Sequence, residues 1–274
     1  MKTQRLPLFL LLLVSSLAHA QLYKPRPVTA LLGAFGPELT LVRQSLHGPK
    51  TRVINGISFT TGRVGRQRVV VAETGIGKVN AAATTAFVLA YFRPRRVLFT
   101  GIAGGTNPDL QPGDMVIGQR VAHHDYSWMT MTTPPRLSHQ TRNAITKQEN
   151  PLYLPADSML LARAQETAKT IDFESIPVTS RPPRVVVGTI VTGDVFVSSE
   201  EKVAQLRSEF GADATEMEGA AVAQICYQEQ VPCLVIRSLS DKANSNARMD
   251  MQQFLGIAAR NSAKLVLKLI EQLP

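Results

Sequence analysis

A single α/β domain with a largely buried sheet is predicted by three observations. Aliphatic and β-branched runs alternate with Ala-rich or amphipathic helical patterns, no repeat or linker interrupts them, and hydrophobic residues make up 44% of the chain against 19% charged. The 274 residues hold enough apolar side chains to offset the entropy of ordering one core. The same composition, with only 2 Cys, excludes a disulfide-stapled miniature scaffold, a collagen-like repeat and a disordered tail.

The elements follow in order. Residues 1–20 stand apart: Lys2 and Arg5 precede an apolar run over 6–17 that ends in Ala18-His19-Ala20 before Gln21. This is the pattern of a cleavable secretory signal, and the run is shorter than the ~20 residues that span a bilayer. The expected mature domain is therefore 21–274, exported to the periplasm or secreted. No later segment is apolar for long enough to insert stably in a membrane.

Residues 28–34 form an aliphatic run ending in Gly33-Ala34. Pro37-Glu38 and the spacing Leu39, Val42, Leu46 then predict a helix with Pro in its first turn, where a missing N–H does no harm. Residues 53–63 and 68–72 read as strands separated by Gly-bearing turns. Gly75-Ile76-Gly77-Lys78 opens an Ala-rich helix to about Phe92, and 96–100 is a buried strand that delivers the chain to Gly101-Ile102-Ala103-Gly104-Gly105. Residues 115–122 are strand-like. The polar, Pro-bearing segment 123–155 has no period and predicts a long excursion from the core. Beyond it the pattern gives a helix over 156–171, a strand over 184–191, helices over 200–210 and 219–228, a strand over 232–238 and a long amphipathic helix over 249–273. Cys226 thus falls in a helix and Cys233 in a strand. Two buried free thiols are expected, although an oxidising compartment leaves a bridge open.

The formal charge is +9, or +7 once Lys2 and Arg5 are removed. Its densest local cluster, Arg93, Arg95 and Arg96, reads as a solvated loop before a strand. With 6% aromatic residues and no stripe of charge, nucleic acid is not an expected partner. No metal-ligand spacing and no phosphate-loop or dinucleotide fingerprint occurs, so neither metal nor cofactor is expected.

In open α/β sheets ligands bind beyond the carboxyl ends of strands. Four places qualify: 33–38, 101–105, Thr215-Glu216-Met217-Glu218, and Arg237-Ser238-Leu239-Ser240-Asp241. Each has a purely structural reading. Glu38 suits the first turn of a helix, Asp241 suits a cap, Glu218 suits a helix end, Arg237 suits charge balance, and 101–105 suits a turn at positive φ.

Taken together and in order, these motifs resemble the nucleosidase branch of the nucleoside phosphorylase superfamily. The matching features are Leu31-Leu32-Gly33-Ala34 leading to Glu38, Thr74-Gly75-Ile76-Gly77-Lys78-Val79, Thr100 to Gly105 with Leu110 and Gly113-Asp114, Thr192-Gly193-Asp194-Val195-Phe196, Glu216-Met217-Glu218 and Arg237 to Asp241. The resemblance implies a three-layer α/β/α fold of nucleoside phosphorylase type with a mixed central sheet. It implies hydrolysis of the N-glycosidic bond of adenine nucleosides, 5′-thio-substituted ones included, and a homodimer with no cofactor.

The chemistry the resemblance implies fits the residue types. Adenine leaves ribose readily only if its N7 is protonated, and the sugar then carries oxocarbenium-like charge. Asp241, positioned by Ser240, is implied as the acid. Glu218 is implied to hold the ribose hydroxyls and favour the cation, with Met217 beneath the sugar. Glu38, assisted by Arg237, is implied to position and activate water. Phe196 stacks on adenine, the backbone of Val197 reads its edge, and Ala103 and Gly104 border the site. Phe35, Ile76 and Met251 form an apolar 5′ wall. Phe99, Ile102 and the anionic Glu38 stand where phosphorylases hold phosphate, which favours water as nucleophile. Ile102 also departs from the serine usual in the nucleosidases. The excursion matches the family only at His124-Asp125. A phosphorylase and a non-catalytic nucleoside binder are the rival readings, and the three acids argue against the latter.

Overall fold

The computed structural model describes residues 28–127 and 140–274. The signal-like segment lies outside the described residues, as does part of the excursion. The architecture is the expected one: a mixed sheet between two helical layers. Strand β1 (Val28–Gly33) pairs in parallel with β4 (Gln67–Glu73) on one side and β5 (Arg96–Gly105) on the other. Strands β2 (His47–Ile54), β3 (Ile57–Val64) and β4 form an antiparallel meander at the free edge. On the far side β5 pairs in parallel with β10 (Cys233–Asp241), which runs antiparallel to β6 (Met115–His123). Strand β6 runs parallel to β8 (Val185–Thr192), and β8 to the short β9 (Ala214–Glu216), which returns to β5. Five strands thus close into a ring on β5, while two-residue β7 (Leu154–Pro155) adds to β6.

One face carries α1 (Gly36–Gln44), α3 (Ser158–Ala168) and α6 (Ala247–Gln272), packed through Leu39, Leu160, Leu265 and Leu269 against Leu31, Leu98 and Ile236. The other carries α2 (Lys78–Phe92) and α5 (Gly219–Gln228), packed through Ala81, Val88 and Val222 against Phe59, Val97 and Val235. Helix α4 (Glu200–Phe210) covers a smaller cluster around Val197 and Phe210. The small side chains of α2 and α5 let these helices lie close to the sheet. Thus β1, β5 and β10 all end at one edge, carrying their following residues to one place.

Several boundaries differ from expectation for identifiable reasons. The predicted strand over 53–63 is divided by a hairpin turn at Asn55-Gly56, where φ is 50° and 81°, the conformation that Asn-Gly favours. Strand β2 is exposed from His47 to Val53 and polar up to Arg52 because it is the sheet edge, and only its last residue, Ile54, is buried. Strand β5 continues to Gly105, so 101–105 is strand rather than a turn, and Gly101, Gly104 and Gly105 are not among the residues at positive φ. Arg96 is not solvated. It is 3% exposed and, with Arg95, donates to the carbonyl of Pro274 at 2.9 Å. Cys226 and Cys233 are both free and buried.

Candidate active site

Glu38 is brought inward by the turn between β1 and α1. Its carboxylate accepts backbone N–H groups from Ala34 (2.6 Å) and Phe35 (3.4 Å) on one oxygen and Ile102 (2.9 Å) on the other. It therefore caps its own helix and bridges to β5. Burial raises its pKa above the ordinary value, against the pull of Arg237 and these N–H donors.

Asp241 is the last residue of β10. One oxygen accepts from Ser240 Oγ at 2.7 Å and the other from Ala243 N–H at 2.7 Å. Burial pushes its pKa up to about 6 despite both donors. Glu218 is the residue at the N-terminal boundary of α5, and its Oε1 accepts Gly77 N–H at 2.8 Å across 141 positions of sequence. Burial, and next the neighbouring Glu216, push its pKa up to about 8.

Arg237 lies underneath. It is 0% exposed, its guanidinium sits 4.2 Å from the Phe99 ring centroid, and it pairs with Glu216 and, at 3.8 Å, with Glu218. Burial works against its charge, but Glu216, Glu38 and Glu218 outweigh it and hold its pKa above the ordinary value. Glu216 also accepts from Thr192 Oγ1, from Gly219 N–H at 2.7 Å and from Glu218 N–H at 3.1 Å. One cation thus pairs with two buried carboxylates and acts on a third, Glu38, through its field alone, and the cluster carries net negative charge when all three are ionised.

These groups border a cavity of about 400 Å³. It is not the largest depression among the described residues, but it is the one in which buried carboxylates converge. Phe35, Glu38, Ile76, Ala103, Gly104, Phe196, Val197, Met217, Glu218, Ser240, Asp241 and Met251, all predicted from sequence, line it. Arg237 does not line it and reaches it only through the carboxylates. Phe99 is also absent from the wall, being spent beneath Arg237, so the apolar obstacle to phosphate is Ile102 alone. Sequence reasoning assigned no role to Glu216, Gln252 or Leu255. Glu216 was findable as the strand-end acid of Glu216-Met217-Glu218, whereas the other two depend on how α6 lies over the opening.

The glycines of β5 are explained by clearance. A Cβ at Gly101 would collide with the Arg237 guanidinium and the Glu38 carboxylate, and one at Gly104 would lie 2.9 Å from Asp241 Oδ1. A second network holds the rim. Lys78 Nζ bonds Asp125 at 2.6 Å, Asp125 accepts Asp194 N–H at 2.8 Å, and Asp194 accepts Lys78 N–H at 2.7 Å. This ties the turn that serves Glu218 to the loop bearing Phe196. The His124 ring fills the space over Gly193 in that loop, and burial lowers its pKa. Among the described residues no cluster of His, Cys, Asp or Glu has the makings of a metal site.

A family model described as the phosphorylase superfamily matches residues 29–271. A 5′-methylthioadenosine/S-adenosylhomocysteine nucleosidase of Geobacillus sp. (strain WCH70) is 38% identical over 245 residues, covering 89% of this chain and 98% of the relative. Among solved structures, the nucleosidase of the same name from Colwellia psychrerythraea 34H in complex with adenine is 34% identical, with a TM-score of 0.78 over 92% of this chain and 98% of that one. Futalosine hydrolase of Helicobacter pylori strain 26695 is 30% identical, also with a TM-score of 0.78, over 90% and 98%.

Proposed function

Because the chain belongs to the phosphorylase superfamily, and within it to the 5′-methylthioadenosine/S-adenosylhomocysteine nucleosidases, we propose that its cavity hydrolyses the N-glycosidic bond of 5′-substituted adenosines and releases adenine. The observation that carries this reading is Asp241: a carboxyl held by Ser240 and Ala243 in one cavity with Glu218 and Glu38, its pKa pushed up by burial to about 6.

Asp241 donates its proton to N7 of the base as the glycosidic bond breaks, and its raised pKa keeps the carboxyl protonated long enough to do so. Phe196 stacks on adenine and the Val197 backbone reads its edge. Glu218 grips the ribose hydroxyls above Met217, and the developing oxocarbenium-like sugar favours the carboxylate form of this otherwise proton-retaining group. Glu38, polarised by Arg237 from below, steers water to the anomeric carbon. Phe35, Ile76 and Met251 supply an apolar 5′ wall suited to a thioether. Glu38 and Ile102 disfavour phosphate, so water is the nucleophile.

The test is incubation with methylthioadenosine, adenosylhomocysteine, futalosine, adenosine and inosine, with and without phosphate. Free sugar and adenine support hydrolysis, sugar 1-phosphate identifies a phosphorylase, and intact nucleoside identifies a binder.

Export of the mature 21–274 chain to the periplasm or medium is part of the same proposal, supported by Lys2, Arg5, the apolar run and Ala18-His19-Ala20. In that compartment the enzyme scavenges adenine from external nucleosides. Recovery only from the cytosol with residues 1–20 intact overturns this part. A homodimer is supported by the exposed apolar rim of Ile76, Val79, Val195 and Phe196.

A further inference from the structure

The excess charge is less scattered than its local pattern suggests. Residues 1–72 contain 10 Lys and Arg against one acid, Glu38, whereas residues 73–274 contain 20 of each sign. The whole net charge therefore resides in the first quarter of the chain. In the folded part it gathers on the β2–β4 meander, where Lys50, Arg52, Arg63, Arg66 and Arg68 are all exposed and no acid occurs between His47 and Ala72.

Strand register concentrates these cations further. Arg63 stands directly opposite both His47 of β2 and Arg68 of β4, and Arg68 stands beside Val28 of β1. Like charges directly opposed weaken a sheet. Protection of an edge strand accounts for Lys50 and Arg52 on β2, but not for Arg63 and Arg68, which oppose each other on the inner strands β3 and β4. Lys50, Arg63, Arg66 and Arg68, with His47, line a groove of about 560 Å³ that has no acidic side chain in its wall. None of these four cations forms a salt bridge among the described residues.

We propose that this groove docks phosphate-bearing headgroups of an anionic lipid bilayer, holding the protein peripherally on a membrane surface with its catalytic cavity turned away. Three observations favour that occupant. The groove lies at the amino ends of β1 and β4, and the cavity at the carboxyl end of β1, about 17 Å away along the strand. The segment that remains after removal of residues 1–20 brings the further cations Lys24 and Arg26 and joins the domain at Val28 on the rim of the groove. No Phe, Tyr or Trp lines the groove and His47 is its single ring, whereas single-stranded nucleic acid needs a platform on which successive bases stack. A lipid surface needs only density of positive charge.

The experiment is co-sedimentation of the protein, as recovered from its producing cells, with vesicles of about 30% phosphatidylglycerol in phosphatidylcholine and with phosphatidylcholine alone. Binding is expected only to the anionic vesicles, with release as salt rises from about 0.05 M to about 0.5 M. The combined variant Lys50→Gln, Arg63→Gln, Arg66→Gln, Arg68→Gln is expected to lose partitioning by about a hundredfold or more, at roughly fivefold per cation, with nucleoside turnover unchanged. Arg66→Glu, a single change in an exposed turn, is expected to lose about 25-fold and guards against misfolding of the combined variant. Equal binding to neutral vesicles, undiminished binding by either variant, displacement by millimolar inorganic phosphate at constant ionic strength, or preference for competing duplex DNA overturns the proposal.

Discussion

Gly101 and Asp241 illustrate how closely function constrains single positions. A methyl group at Gly101 meets Arg237 and Glu38, both buried and neither free to retreat. Gly101→Ala is expected to destabilise the fold by about 2 kcal/mol or more and to abolish turnover, because overpacking at this point also splits a charge cluster. Gly36→Ala, whose Cβ would approach only Glu73 at 3.9 Å, is the tolerated control in thermal melts and assays. Asp241 carries its own stability cost. Its pKa rises from 3.8 to about 6 on folding, so the native state binds the proton more tightly than the unfolded chain. That contribution is fully present below about pH 4 and is lost as pH rises through about 6. Asp241→Asn is therefore expected to be more stable than the parent protein at pH 7.5, by about 3 kcal/mol, and to lose most of that advantage near pH 4. Equal melting at both values would remove the burial argument. The acids at the site were legible as strand-end and helix-start residues, and the resemblance gave them roles. The burial of Arg237 was not legible, because its partners come from β9 and α5, some twenty positions away.

At the scale of elements, the rim network is the feature that connects two active-site loops. Lys78 holds Asp125 and, through its own N–H, Asp194, while the adjoining Gly77 N–H serves Glu218. Lys78→Met should raise KM for the nucleoside about tenfold while kcat changes by less than about threefold, because ribose and adenine contacts loosen before chemistry does. Lys78→Arg should restore most of the affinity. An unchanged KM, with activity falling only in proportion to folded protein, would reduce the network to a structural role. Long periodic elements such as α2, α4, α5 and α6 were readable in the sequence. The misread ones have physical causes: β2 is polar up to Arg52 because it faces solvent on an edge, β9 has three residues, and the glycines that end β5 lower strand propensity while supplying clearance.

The whole molecule separates its tasks between the two ends of one sheet. Acids converge at the carboxyl edge, cations cover the free β2–β4 corner, and apolar side chains ring the cavity mouth. Val79, 79% exposed beside that mouth, has no packing role within the described chain. Val79→Glu is expected to shift sedimentation from dimer to monomer, and a monomeric parent protein would contradict the homodimer reading. Fold class and layer order were visible from alternation of strands and helices. Charge asymmetry was present in the sequence too, but it becomes a surface only when register sets Arg63 against Arg68. The central claim is that Asp241 protonates the departing base. Its most direct test compares Asp241→Asn with the parent protein for adenine release from methylthioadenosine and for nucleoside binding. Release is predicted to fall by about 10² to 10⁴ while affinity stays within about threefold, and unchanged release would contradict the mechanism.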